Sequence, residues 1–104
     1  MHIHYISEQN SILNHFLAQI RDVNIQKDSM RFRKNIERIG EIMAYELSKT
    51  LDYKEIDVQT PLGIKHTTTI AEPVVLCSIL RAGLALHQGF MSFFDNAENG
   101  FVSA

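Results

Sequence analysis

The segment richest in chemical potential is Ser78-Ile79-Leu80-Arg81-Ala82-Gly83, which closes a nearly continuous apolar run beginning at Val74 and precedes a helical stripe. A buried strand that turns into a helix offers unpaired backbone N–H groups and the positive end of the helix dipole, a setting for phosphate or diphosphate. Arg81 adds a fixed fork of donors, and a charge-assisted contact from it to a phosphate group is worth about 1.5 to 3 kcal/mol. Gly83 lets the backbone approach a ligand closely or adopt φ > 0. Spacing alone makes this a modest anion-site candidate, because arginines at strand ends are more often solvated or ion-paired.

Other reactive side chains read as structural. His2 and His4 form a His-x-His pair that a strand would aim to one side, but no carboxylate or cysteine lies nearby to complete a metal set. His15, His66 and His87 show no partner pattern, and Cys77, inside the apolar run, is expected to be a small buried hydrophobe and not a nucleophile. Arg31, Arg33, Lys34 and Arg38 are interleaved with Glu37 and Glu41, the pattern of a solvated ion-pair surface more than of a nucleic-acid face. Phe90, Phe93 and Phe94 are expected in the core or at a subunit interface. No catalytic nucleophile and no metal site is expected among these residues.

The chain has 104 residues, 45% of them hydrophobic and 21% charged, which suits one small packed domain over residues 1–104 and argues against disorder. Ten basic and twelve acidic side chains give a formal charge of -2, spread so evenly that no nucleic-acid or anionic-membrane partner is announced. No apolar run approaches the ~18 to 20 residues needed to span a bilayer. A lone cysteine cannot form an internal disulfide and the Met1 end lacks a secretory layout, so a cytoplasmic setting is expected.

The elements that must carry the loop follow from periodicity. Ile12, Leu13, Phe16, Leu17 and Ile20 form one stripe of a helix from Ser11 to Arg21, with Ser7 or Asn10 as caps. Asp28 or Ser29 caps a longer helix with the stripe Phe32, Ile36, Ile39, Met43 and Leu47, in which Gly40 costs about 1 kcal/mol unless something packs close. These helices occupy 1–52. From 53 to 70 the period is two, with Thr60-Pro61-Leu62-Gly63 as a tight turn, so an exposed two-stranded arm is predicted. Residues 71–104 begin an α/β core: a strand over Val74–Leu80 covered on both faces as in a parallel sheet, a helix carrying Leu86, Phe90, Phe93 and Phe94, and an extended segment from Gly100 to Ala104.

Four motifs in order resemble the uracil phosphoribosyltransferases: Phe32-Arg33, Tyr45-Glu46, Thr60-Pro61-Leu62-Gly63, and Ser78-Ile79-Leu80-Arg81-Ala82-Gly83-Leu84 with Gly89 beyond it. The resemblance implies the N-terminal helices, β-arm hairpin and first βα unit of a type I phosphoribosyltransferase parallel sheet, incomplete. It also implies a glycosyltransferase activity of pyrimidine salvage, joining uracil to 5-phosphoribosyl 1-diphosphate to give UMP and diphosphate with Mg²⁺, in a homodimer or higher oligomer. Leu80, Arg81, Ala82 and Gly83 then hold the diphosphate.

Departures are as informative as matches. Ser78 stands where the family has proline and Gln88 where an aspartate is common. The family's Tyr-Arg pair would fall just beyond Ser103-Ala104, and its 5-phosphate loop ending Thr-Gly-Gly and its uracil-reading segment have no counterpart in these residues. The expectation is a truncated chain that is inactive by itself. The alternative is a non-catalytic oligomerisation or regulatory module that keeps the half-fold.

Overall fold

The computed structural model describes residues 3–103. Its first helix, α1 (Ile12–Arg21), is capped by Ser11, whose hydroxyl accepts from the Leu13 N–H at 3.2 Å and so satisfies an orphan donor of the first turn. Neither expected cap serves: Asn10 Oδ1 accepts instead from Asn14 Nδ2 at 3.3 Å. The second helix, α2 (Ser29–Ser48), starts at Asp28 as predicted, the carboxylate accepting from the Arg31 N–H at 3.1 Å.

The buried line of α2 is Asn35, Ile39, Gly40 and Ala44, rotated from the expected stripe, whose ends Phe32 and Leu47 are each 38% exposed. Small residues decide this. A Cβ placed on Gly40 would lie 2.6 Å from the Leu86 carbonyl oxygen, and one on Gly89 would overlap the Glu37 carbonyl oxygen. The third helix, α3 (Leu84–Met91), therefore crosses α2 backbone against backbone, which is what a mid-helix glycine permits. Leu13, Ile39 and Ala44 are the buried apolar side chains among the described residues.

Strands β1 (Tyr53–Thr60) and β2 (Gly63–Ile70) form the predicted hairpin, antiparallel from Tyr53↔Ile70 to Thr60↔Gly63 around Pro61-Leu62. Gly63 has φ 131°, a conformation open to glycine, and Thr60 Oγ1 closes the turn by donating to the Gly63 carbonyl at 2.6 Å. Only Ile56, Thr60 and Ile70 of the arm are even half-buried.

Strand β3 (Val75–Leu80) pairs in parallel with β4 (Glu98–Ser103), in register from Val75↔Glu98 to Leu80↔Ser103, with α3 as the crossover. The fold class is thus the expected one: N-terminal helices, an arm, and the start of a parallel α/β sheet. Two details are corrected. The sheet is covered on one face, so Val75 and Ile79 are each 63% exposed and Cys77, expected to be buried, is exposed as well. One helix over two strands can shield only alternate side chains, and those of Leu76, Ser78 and Leu80 take that place. Helix α3 also ends early, at Met91; Ser92 caps it through its N–H to the Gly89 and Phe90 carbonyls, leaving Phe93 55% exposed and Phe94 half-buried outside the helix.

The radius of gyration is 16.8 Å, where a compact chain of this length has about 13 Å. Accessible surface is 8172 Å² against about 5,900 Å² for a folded monomer of this mass. The projecting arm and the open sheet face account for the excess. Among the described residues no helix is long and apolar enough to cross a membrane.

Candidate functional site

The β3–α3 junction is built by short-range bonds. The Gly83 N–H donates to the Ile79 carbonyl at 3.0 Å, the Leu84 N–H to the Arg81 carbonyl at 3.1 Å, and the His87 N–H to the Gly83 carbonyl at 2.9 Å. These bonds use the amides of Gly83 and Leu84. The N–H groups of Arg81 and Ala82 remain without a backbone acceptor among the described residues, at the end of the α3 dipole that attracts anions. The Leu80–Arg81 peptide is cis.

Gly83 does not adopt positive φ: it sits at φ -74° and ψ -8°. Its lack of a side chain matters for closeness, since a Cβ there would lie 2.8 Å from the Ile79 carbonyl oxygen. Leu80 is half-buried beneath the loop, while Arg81 and Ala82 are exposed. The Arg81 guanidinium makes no ion pair among the described residues. It lines a cavity of about 670 Å³ together with Gln26, Phe32, Arg33 and Leu84.

Under the loop lies a polar chain that periodicity did not reveal. His87, 6% exposed, bonds the Ser78 hydroxyl through Nδ1 at 2.5 Å and Asn99 Oδ1 through Nε2 at 2.8 Å. An amide oxygen only accepts, so Nε2 carries a proton, and in the neutral imidazole Nδ1 accepts from the Ser78 hydroxyl. The Asn99 orientation is set by its Nδ2, which donates to the Ala97 carbonyl at 3.3 Å. The imidazole ring also lies 5.0 Å from the Phe101 ring, centroid to centroid. One side chain from α3 thereby ties together β3 and β4, on either side of the loop. Serine in place of the family's proline has a structural consequence here: its hydroxyl anchors β3 to α3. Gln88 is exposed and lines a second cavity with Arg33, Lys34 and Glu37.

The remaining candidates stay apart from this site. His4 is exposed and His2 lies outside the described residues, which contain no group of three or more His, Cys, Asp or Glu side chains able to hold a metal. His66 pairs with Asp57 across the arm. His15 contacts Gln19 Nε2 at 3.1 Å on the surface of α1. The basic group on α2 divides: Lys34 meets Glu37 at 2.7 Å and Arg31 meets Asp28 at 3.9 Å, as expected of a solvated face, while Arg38 donates to Asn35 Oδ1 at 3.1 Å and Arg33 turns toward the loop cavity.

Comparison with known proteins supplies the context for this geometry. The family model described as uracil phosphoribosyltransferase matches residues 6–104. A uracil phosphoribosyltransferase of Porphyromonas gingivalis is 49% identical over 104 residues, covering 100% of this chain and 48% of the relative. One from Sulfolobus acidocaldarius is 42% identical over 96 residues, covering 89% of this chain and 44% of the relative. A solved structure from Aquifex aeolicus superposes with a TM-score of 0.74 at 27% identity, over 89% of this chain and 44% of that one. The chain spans about half the length of the curated relatives it matches.

Proposed function

The chain belongs to the uracil phosphoribosyltransferase family, and we propose that its Leu80-Arg81-Ala82-Gly83 loop is the diphosphate-holding wall of an active site that converts uracil and 5-phosphoribosyl 1-diphosphate to UMP and diphosphate. The observation that carries this reading is the Arg81 guanidinium, without an ion-pair partner among the described residues, at the junction of a parallel strand and a helix N-terminus beside two N–H groups that lack a backbone acceptor among those residues.

In such a reaction the bond from the ribose anomeric carbon to the diphosphate oxygen breaks as the bond to uracil forms, and negative charge grows on the departing diphosphate. Donors already fixed in place stabilise that charge without reorganising. Arg81 supplies the charge-assisted contact, the Arg81 and Ala82 amides supply backbone donors, and the absence of a side chain at Gly83 keeps the loop closed on Ile79. None of these residues acts as a nucleophile or proton acceptor. The loop offers donors and no carboxylate, so its residues do not themselves fit a metal; Mg²⁺ belongs with the diphosphate substrate.

The surface in excess of a compact monomer supports further protein covering the open sheet face and the arm, as a homodimer or higher oligomer would. A cytoplasmic setting completes the reading. A polypeptide of these 104 residues is expected to bind inorganic diphosphate in calorimetric titration and to form no UMP, since no residue in it matches the family's 5-phosphate or uracil segments. Replacing Arg81 by Gln is expected to weaken that binding about tenfold. Equal affinity for wild type and Arg81→Gln would remove the assignment, and robust UMP formation would show that the family's 5-phosphate and uracil segments are dispensable. The open face, with Val75 and Ile79 each 63% exposed, also favours a second reading as a non-catalytic assembly module. A defined oligomer by light scattering with no diphosphate affinity would select it.

A further inference from the structure

The Phe32-Arg33 motif has no role in the reaction as described so far, and the surroundings of Arg33 give it one. Its basic neighbours on α2 are all engaged: Arg31 with Asp28 at 3.9 Å, Lys34 with Glu37 at 2.7 Å, and Arg38 with Asn35 Oδ1 at 3.1 Å and over the Phe16 ring at 5.3 Å. Arg33 makes no hydrogen bond or ion pair among the described residues, and Glu37, one turn further along, is occupied by Lys34. Arg33 lines both the cavity it shares with Lys34, Glu37 and Gln88 and the 670 Å³ cavity it shares with Arg81. The residues lining that cavity include no aspartate or glutamate, and its walls are largely apolar, with Phe32, Ile36, Leu84 and Ala85 among them.

Two arginines lining one cavity that holds no acidic residue repel each other, weakly because both are exposed. A bound anion reverses the sign of both interactions. The two arms come from different elements, α2 and the β3–α3 loop, and an anion with charge on two phosphates offers each of them its own partner. Resting on the assignment of Arg81 to the diphosphate, we propose that Arg33 is a second cationic arm of that site, and that the pair selects a diphosphate over a single phosphate. The Gly40–Gly89 contact serves this arrangement, because it sets the distance of α2 from the helix that follows the loop.

The test is calorimetric titration of the 104-residue chain and its Arg33→Gln, Arg33→Lys and Arg81→Gln variants with inorganic diphosphate and, separately, with orthophosphate. Arg33 is exposed, so circular dichroism melts of its variants should coincide with wild type. Arg33→Gln is expected to weaken diphosphate binding about tenfold while leaving orthophosphate binding unchanged, and Arg33→Lys to recover part of the loss. Wild-type diphosphate affinity in Arg33→Gln, alongside a loss in Arg81→Gln, would overturn the second arm and leave the Arg81 assignment standing. Equal loss for both anions would overturn the selection of a diphosphate. An undiminished affinity in Arg81→Gln, or no binding by wild type, would remove the assignment on which the second arm rests and the second arm with it.

Discussion

The β1–β2 arm and the β3–α3–β4 unit each contain two paired strands, and they are held by different forces. The arm is local. Its register runs unbroken from Tyr53↔Ile70 to Thr60↔Gly63, its turn is closed by Thr60 and Gly63, and almost nothing on it is buried. Its foot is tied by the Ala71 N–H to the Asp52 carbonyl at 2.8 Å and the Tyr53 hydroxyl to the Ser48 carbonyl at 2.8 Å. A parallel pair has no such tight turn to register it and needs a helix on its face. Here α3 is seated on α2 through Gly40 and Gly89, and on the two strands through His87. The arm can therefore change without disturbing the β3–α3 loop, whereas that loop depends on contacts made far along the chain.

Gly89→Ala tests this contrast most severely. The added methyl would overlap the Glu37 carbonyl oxygen, a backbone atom that cannot rotate away, so a loss of about 3 kcal/mol or more in urea unfolding is expected. Unchanged stability would mean that the two helices do not meet as described. His87→Ala comes next, at about 1 to 3 kcal/mol, because it leaves the half-buried Ser78 hydroxyl without its acceptor and removes the tie between β3 and β4. The same variant should speed amide hydrogen exchange around Arg81 and leave that of the arm unaltered; faster exchange in the arm as well would merge the two regions into one unit.

Gly63→Ala is the mildest. At φ 131° an alanine is strained by about 1 to 2 kcal/mol, although open space surrounds the site. Arm amides should exchange faster while the cooperative unfolding of the helices keeps its midpoint. A shifted midpoint would show that the arm contributes to the core after all.

Much of this molecule was legible in advance because the signals are short-range. Asp28 starting α2, the Thr60-Pro61-Leu62-Gly63 turn, and the strand–loop–helix around Arg81 each follow from residues within a few positions of one another. The errors share one cause. Periodicity identifies a face without saying what lies opposite, so it runs the α2 stripe through Phe32 and Leu47 where the crossing of α3 selects Asn35, Ile39, Gly40 and Ala44. An apolar run suits two covered faces and so predicts a buried Cys77, whereas this sheet has one covered face and Cys77 is exposed. His87 showed no partner because Ser78 and Asn99 are brought to it only when both strands dock on α3.

The order of residues is enough for the element types, the turn and the position of the loop, since local backbone preferences are encoded within short stretches. That Gly40 meets Gly89, that His87 joins two strands beneath Arg81, and that Arg33 shares a cavity with it follows from packing between elements distant in the chain. Those pairings depend on how α2, α3 and the sheet close on one another, and contact across such separations leaves no periodic trace in the chain.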